Sequence, residues 1–420
     1  MNANIRRKPN VVLPPDVAGN GAVSLVGYQR AVSLTDKLPP GDLSTPILGL
    51  FGEVGSLLAV VKKKRREAAA YAAYSAAIVE ECGDVLWYLT CIACHAGLDI
   101  STLCRRAVFD VGDVDDSDAL QTDELRTWAD VQTMRQSGVH DELSTCMSQV
   151  AELTGELVGG LRVDKQQGSR DKLSDQLVAI LRALFSTAAA ADVDLDRAAR
   201  ANLEKIFSRY PLDHTYPPLT DADVPPSERL PRRFEMFVEE HDVNGRTYVL
   251  LTCNGVIVGD RLTDNKAEED DYRFHDVFHI AYAVHLGWSP TLRALFRVKR
   301  KSVAKLDENE DGARAGLIEE GISTFIFGRA LERNLFEGLD RLDFDLLKLV
   351  QEFARGFEVE RCALWQWERA ILDGFRIFRE LKRHRKGYVS ADLENHTVKF
   401  AAVASQPDGT TSSLAAQRSE

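Results

Sequence analysis

The feature that most constrains this chain is a set of acidic side chains inside two apolar segments, within residues 50–89. Glu53 lies in the segment LFGEVGSLLAVV, and IVEECGDVLWYL carries the others. Glu81 and Asp84 are three residues apart and Glu80 and Asp84 four apart, so they share one face of a helix. A carboxylate in apolar surroundings stays ionised only when it is paired, hydrogen-bonded or metal-bound. We therefore expect two helices whose inward acids share one cation.

The ligand types indicate which cation this would be. Oxygen ligands from Glu53, Glu81 and Asp84, with no His or Cys among them, favour Mg²⁺ or Mn²⁺ over zinc. The competing interpretation is that these acids pair with the basic run KKKRR at residues 62–66. That run also fits the end of a helix, where cations are stabilised by the helix dipole.

The same residues carry a family resemblance. GEVGSL followed by EECGDVLWYL, with Tyr28 and Gln29 upstream and GLDI downstream, resembles the MazG-like nucleotide pyrophosphohydrolases over residues 24–105. This all-α superfamily includes the dimeric dUTPases. Its signature is Glu-x-x-Glu on one helix and Glu-x-x-Asp on the next, which together hold magnesium. Ser56 stands at the position of the second Glu, so either Glu80 or water replaces that ligand, or metal binding is weakened.

The resemblance implies a Mg²⁺-dependent enzyme that cleaves a nucleoside triphosphate or related nucleotide to the monophosphate and pyrophosphate. Glu53, Glu81 and Asp84 would hold the metal, and Glu80 would be the base. The side chains assigned to the phosphates and the nucleobase are Lys62, Lys63, Lys205, Arg209 and Trp87. The alternative is a binding or regulatory protein that has kept the bundle and lost turnover.

A second stretch repeats the first unit. AELTGELVGGL echoes LGLFGEVGSLL, and the segment from Lys172 echoes the segment from Glu81. This alignment places Glu156, Gly159, Lys172 and Asp175 over Glu53, Ser56, Glu81 and Asp84. Because acids remain at only half of these positions, the second copy should bind metal poorly. We expect a pseudo-dimer within the chain, which is self-sufficient or pairs again as a homodimer.

The C-terminal half follows a different pattern. Two Asn-Gly pairs, at residues 244–245 and 254–255, lie between β-prone runs and predict a three-stranded antiparallel meander. His275 and His279 then share one face of a predicted helix with Asp276 between them. A later apolar helix carries Glu319 and Glu320.

Three interpretations of this second constellation remain open. Two His on one helix face with an acid nearby favour a transition metal such as zinc, and hence a second metal site and a metal-dependent hydrolase. HDVFH also resembles the HExxH of zinc proteases, but Asp276 replaces the Glu that acts as base, which disfavours a protease. Alternatively, the acids and His279 form a third acidic helix pair, or the His residues are core side chains hydrogen-bonded to acids.

These patterns predict a mainly α fold, with tandem helical bundles followed by an α+β domain that contains the meander and a helical bundle. The expected divisions are a disordered N-terminus at 1–22, helical units at 23–110 and 122–211, a Pro-rich linker at 212–231, the C-terminal domain at 232–400 and a disordered tail at 401–420. An acidic loop at 110–123 separates the two units.

Composition narrows the partners and the compartment. A net charge of −12 and a pI near 5.4 argue against a sequence-specific nucleic-acid partner and favour free nucleotides. We see no signal peptide and no stretch approaching a membrane span, so we expect a cytoplasmic protein without a membrane partner. The seven cysteines are scattered rather than arranged as a disulfide framework. CIACH, at residues 91–95, we interpret as an accidental match to a haem-attachment sequence.

Overall fold

The structure, a computed structural model, describes residues 11–109, 125–136, 142–163 and 170–403. These divide into two compact units, Val11–His214 and the part that begins at Thr215. The acidic loop, most of the expected tail and the first ten residues lie outside the described residues. The predicted mainly α class with an α+β part is confirmed, because helices dominate and the antiparallel sheet of the described residues lies in the second unit.

Eight α-helices build the described part of the first unit. They are α1 (Leu25–Thr35), α2 (Ser44–Glu67), α3 (Tyr74–His95), α4 (Ile100–Phe109), α5 (Trp128–Gln136), α6 (Leu143–Val163), α7 (Arg170–Ala190) and α8 (Leu195–Arg209). Their apolar faces share one continuous hydrophobic core. Helix α2 ends at Glu67, as the basic run predicts, and α3 begins at Tyr74. Ala68 has a φ of 48°, which ends α2 and opens a short 3-10 turn.

The first four helices and the last four repeat one arrangement. Helix α3 packs against α8 and α7 packs against α4, so each half lends its closing helix to the other. The backbone hydrogen bonds at the starts of α1 and α5 repeat as well. Leu25 N donates to Arg126 O at 2.9 Å, and Trp128 N donates to Val23 O at 3.1 Å. Each of these contacts of α1–α4 therefore has an equivalent in α5–α8.

Equivalent glutamines hold the last helix of each half. Gln29 Oε1 accepts from Ile100 N at 2.9 Å, at the start of α4. Gln132 Oε1 accepts from Leu195 N at 2.7 Å, at the start of α8. Because each bond satisfies an N–H group that the first turn of a helix leaves unpaired, the two glutamines perform the same structural role.

The ends of α3 and α7 fix how these two helices correspond. Gly97 and Asp192 both take positive φ, at 64° and 55°, immediately before α4 and α8. Counting back from these turns, Gln176 lies at the position of Glu81 and Ala179 at that of Asp84. The sequence alignment that placed Lys172 and Asp175 there is wrong by four residues, about one helical turn.

The correspondence between α2 and α6 also differs from the one that the sequence alignment gave. The buried positions repeat with equal spacing as Leu50, Val54 and Leu57 in α2 and as Val150, Thr154 and Leu157 in α6. Leu153 therefore lies at the position of Glu53, and Glu156 and Gly159 lie one turn further along than the sequence alignment placed them. The second half thus has no acid at the positions of Glu53, Glu81 and Asp84.

Two helices of this unit are long and apolar enough to cross a membrane, judged by length and composition only. No such span was predicted from the sequence. They are Ser44–Ala70 and Arg170–Ala190. Both contribute to the core, with 39% and 61% of their apolar windows buried. Core helices of ordinary domains pass the same test, so these helices give no clear membrane signal.

The second unit contains a five-stranded antiparallel sheet in the order β3-β2-β1-β4-β5. Its strands are β1 (Arg233–Val243), β2 (Arg246–Cys253), β3 (Val256–Ile257), β4 (Lys386–Asp392) and β5 (Thr397–Ala402). The predicted meander is confirmed as β1–β3, with positive φ at both residues of each Asn-Gly turn. Strands β4 and β5 join on the other side of β1.

Helices cover this sheet and carry the second constellation. They are α9 (Asp276–Leu286), α10 (Pro290–Leu295), α11 (Ala304–Asn309), α12 (Ala313–Leu331), α13 (Phe344–Phe353) and α14 (Leu364–His384). Helix α9 packs against α14, and both contact β4 and β5. Residues 215–231 differ from the expected linker, because buried Asp221 pairs with Arg232 at 2.7 Å and with Arg293 at 2.9 Å.

Close approach of α3 and α8 depends on Gly83. A Cβ at this position would lie 2.6 Å from Ala198 O and 2.9 Å from Asn202 Cβ. The first of these neighbours is backbone, which cannot move aside as a flexible side chain can. Gly83 is therefore what lets α8 bring its side chains to the acidic face of α3.

We expect Gly83→Ala to destabilise the protein by about 1–3 kcal/mol, because the added methyl overpacks the contact between α3 and α8. The measurement is urea denaturation of the full chain. Gly55→Ala on α2 is the matched control, since a Cβ there meets nothing within 4 Å. This control should be neutral or stabilising by about 0.5–1 kcal/mol. Equal stability of the two variants would contradict the close approach.

Candidate functional site

Three acids of α2 and α3 converge in the first unit. Glu53, Glu81 and Asp84 each offer a carboxylate oxygen within 4.8 Å of the others. All three side chains are partly buried. The antiparallel packing of α2 and α3 brings Glu53 opposite the pair on α3. The cluster is an all-oxygen donor set of the kind that binds hard divalent cations.

Helix α8, from the second half, completes this cluster. Lys205 Nζ contacts both carboxylate oxygens of Asp84 and lies 3.6 Å from Glu80 Oε1. Asn202 Nδ2 donates to Asp84 Oδ1 at 2.7 Å, and Tyr28 OH donates to Asn202 Oδ1 at 3.2 Å. Asp84 is therefore held by a cation and by an amide that α1 itself orients.

Partial burial and mutual repulsion shift the acids toward their neutral forms. Burial, with further contributions from Asp84 and Glu53, raises the pKa of Glu81 to about 7. Burial also raises the pKa of Glu53 and that of Asp84, although Lys205 and Asn202 oppose the rise at Asp84. Among the described residues, Lys205 is the cation seen to pair with Asp84, and the close carboxylates Glu53 and Glu81 favour a further cation.

The proposed phosphate-binding residues lie elsewhere or are engaged. Lys63 Nζ sits 4.4 Å from the centroid of the Tyr71 ring, and Lys62 is exposed beside it near the end of α2. Both are nine or ten residues from Glu53, roughly 14 Å along the helix at 1.5 Å per residue. Lys205 contacts acids, and the Arg209 guanidinium lies 5.2 Å from the centroid of the Tyr210 ring. Of these four cations, Lys205 is the one for which a contact with the acids is described.

Trp87 was assigned to nucleobase stacking. Its indole N–H donates to Thr35 Oγ1 at 3.3 Å, and its ring meets Tyr88 edge-on at 5.0 Å. Trp87 thus joins α3 to the end of α1, which is a packing role.

Ser56, at the position of the missing acid, lies one turn beyond Glu53 on α2.

The predicted residues of the second unit also come together. His275, His279 and Glu320 offer ligand atoms within 4.8 Å of one another, and His279 and Glu319 are fully buried. His279 Nε2 lies 3.1 Å from Glu320 Oε1, and His275 Nε2 lies 3.4 Å from Asp276 Oδ1. Burial alone would lower the pKa of His279, but Glu319 and Glu320 raise it well above its usual value. Burial lowers the pKa of His275.

Sequence reasoning missed two groups of residues. Asn202 holds Asp84 from α8, and Tyr28 of α1 holds Asn202. The signals were that Asn202 precedes Lys205 by three residues on one helix face and that Tyr28 belongs to the family resemblance, but neither indicated this contact. Cys91 and His95 of CIACH meet Asp36, with His95 Nε2 2.5 Å and Cys91 Sγ 3.6 Å from Asp36 Oδ2. Their i,i+4 spacing indicated a shared face, but nothing in the sequence connected them to Asp36.

The raised pKa of Glu81 predicts a pH dependence of stability. Folding raises this pKa from 4.5 to about 7, so Glu81 lowers the stability of the fold increasingly as pH rises from about 4.5 to about 7, and by a constant amount above that range. Without divalent cations, Glu81→Gln should therefore gain stability relative to wild type between pH 5.5 and pH 8. Urea denaturation at both pH values in EDTA measures the difference. A difference that does not change with pH would contradict the raised pKa.

Comparison with known proteins gives one match. Residues 215–404 match the family model of the MazG C-terminal domain. No curated protein sequence and no solved structure matches the chain. The matched region coincides with the second compact unit described above. Through this C-terminal domain, the chain is linked to the MazG family.

Proposed function

We propose that the first unit is a nucleotide pyrophosphohydrolase, which cleaves a nucleoside triphosphate or related nucleotide to the monophosphate and pyrophosphate. The observation that carries the proposal is the convergence of Glu53, Glu81 and Asp84 within 4.8 Å. The match of the second unit to the MazG C-terminal domain supports the same activity class. The resemblance of EECGDVLWYL to the MazG-like enzymes supports assigning the activity to the first unit.

The donor set fits Mg²⁺ or Mn²⁺, because it consists of carboxylates with no imidazole or thiolate. Glu53, Glu81 and Asp84 would hold the ion. When bound, the ion neutralises charge on the phosphate oxygens and lowers the pKa of a water molecule. Lys205 now offsets part of the negative charge, so an incoming cation competes with it for Asp84.

The other residues of the cluster position Asp84 and take up a proton. Asn202 fixes one carboxylate oxygen of Asp84, and Tyr28 fixes the amide of Asn202. In hydrolysis, the water oxygen forms a bond to phosphorus while the bond to the leaving phosphate oxygen breaks. We assign the proton released by that water to Glu80, which precedes Glu81 and is held near Lys205.

This site draws on both halves of the chain. Helices α2 and α3 of the first half supply the acids, and α8 of the second half supplies Lys205 and Asn202. Gln176 and Ala179 occupy the equivalent positions of α7, where no comparable cluster of acids can form. We propose that the halves act as an intrachain pseudo-dimer with one catalytic centre.

A regulatory nucleotide-binding protein is the second candidate. Ser56 stands where the family has a further acid, and Lys205 is already paired with Asp84. Both features would weaken metal binding and hence turnover. Such a protein would bind nucleotides without releasing pyrophosphate.

The deciding experiment is pyrophosphate release from a panel of canonical and modified nucleoside triphosphates with Mg²⁺ or Mn²⁺. We expect Glu81→Gln to reduce the rate by about two orders of magnitude or more, because it removes a charged ligand. Glu156→Gln is the matched control, since Glu156 is an exposed acid of α6 in the second half. This control should retain wild-type activity.

Each other outcome points to a different conclusion. Nucleotide binding by calorimetry with no release from any nucleotide would favour the regulatory protein. Release that survives Glu81→Gln and disappears in Glu320→Gln would transfer the activity to the second unit.

A further inference from the structure

Neighbouring groups fix the orientation of the imidazole rings of His275 and His279. His275 Nδ1 lies 2.9 Å from the carbonyl oxygen of Tyr272, a hydrogen bond in which the ring donates. The Tyr272 ring stacks on the same imidazole at 4.3 Å and almost parallel. With its Nδ1 proton committed, His275 presents the lone pair of Nε2.

His279 has the corresponding arrangement. Its Nδ1 lies 2.9 Å from Glu319 Oε1, and the other oxygen of Glu319 accepts from Thr291 N at 2.8 Å. A His ring whose Nδ1 faces a carboxylate or a backbone carbonyl is the usual support for a metal ligand, because it sets the tautomer and raises ligand basicity. The Tyr272 carbonyl supports His275 in this way, and Glu319 lies at the distance from which it can support His279; both rings direct Nε2 elsewhere.

The two Nε2 atoms face Glu320. His279 Nε2 is 3.1 Å from Glu320 Oε1, and His275 Nε2 is 3.6 Å from Glu320 Oε2. Neither ring nitrogen of fully buried His279 makes an aligned hydrogen bond, although both are close to carboxylate oxygens. A ring nitrogen and a carboxylate oxygen that lie close without an aligned hydrogen bond are expected when the lone pairs of both atoms point toward a shared third position, as at Nε2 and Glu320.

Charge balance gives an independent reason for a cation. Asp276, Glu319 and Glu320 lie around the two imidazoles, and among the described residues none of these acids pairs with an Arg or Lys. Protonating His279 would neutralise only one of the three acids. Buried carboxylates without balancing charge are costly, so a divalent ion would compensate what a single imidazolium does not.

We propose that His275, His279 and Glu320 form a second metal site, which takes a divalent transition-metal ion through two imidazole nitrogens and one carboxylate. Zinc and iron(II) share this ligand chemistry. Glu319 and the Tyr272 carbonyl are positioning groups for the two rings. Three protein ligands leave further coordination positions open, which is the composition of catalytic rather than structural zinc sites. The partly exposed Glu320 gives the site access to solvent.

The test is metal analysis of the full chain after reconstitution with one equivalent of zinc, or of iron(II) under anaerobic conditions, followed by removal of unbound metal. Wild-type protein should retain one equivalent of zinc or of iron(II), and the relative amounts distinguish the two ions. Glu320→Gln, a near-isosteric change at a partly exposed side chain, should lose that equivalent, as should His279→Ala. Glu81→Gln should keep it, which separates this site from the proposed pyrophosphohydrolase centre.

Further variants separate a ligand role from a general loss of structure. His285→Ala, which removes a fully buried His from the same helix outside the cluster, controls for loss of a buried imidazole and should keep the metal. Glu319→Gln should weaken affinity by about 10- to 100-fold while leaving one site, as expected for a positioning residue. In cobalt-substituted protein, Glu320→Gln should abolish the visible absorption of the bound ion. Folded wild-type protein that retains only traces of metal, or equal retention by Glu320→Gln, would overturn the proposal.

Discussion

The contact between Asp84 on α3 and Lys205 on α8 is the interaction on which the first unit depends. A partly buried carboxylate needs a partner, and the first four helices offer it only Glu53, Glu80 and Glu81, which repel it. The compensating ammonium and amide come from the second half of the chain, through a helix contact that Gly83 makes possible. The acidic centre therefore requires the exchange of closing helices between the halves.

The same exchange explains why the two halves could diverge. Their frame is shared, down to the glutamine that caps the first turn of each closing helix. Only one half has the repelling acids, since Gln176 and Ala179 replace two of them in the other. The neighbouring acid of α7, Asp175, pairs with Arg106 of α4. One half can then serve as a stable support, while the other holds a centre that ordinary core packing would not tolerate.

Local pattern was sufficient to predict part of this arrangement. The i,i+3 spacing of Glu81 and Asp84 in an apolar helix predicted a convergent acid face, and the Asn-Gly pairs predicted the meander. The register of α7 was not predictable, because shifting an apolar helix by four residues returns nearly the same face to the core. Nor was the role of Asn202, because it depends on which helices pack together. The distance of Lys62 and Lys63 from the acids was not predictable either, because charge alone does not say how far along a helix a side chain lies from its target, and their assignment to the phosphates stays a prediction.

A site built from carboxylates prefers different metal ions from a site built from two imidazoles and one carboxylate. This difference decides in which order the two proposed centres would bind metal. Affinity for imidazole ligands rises from manganese through iron toward zinc, whereas magnesium has little tendency to bind them. Magnesium would thus leave His275 and His279 available, and both centres could be loaded together. The reverse does not hold, because zinc also binds carboxylates and would compete for Glu53, Glu81 and Asp84 once the imidazole site is filled. The imidazole centre has the higher affinity for zinc and would therefore bind the first equivalent. It would keep zinc away from the acidic centre only until that first equivalent is bound.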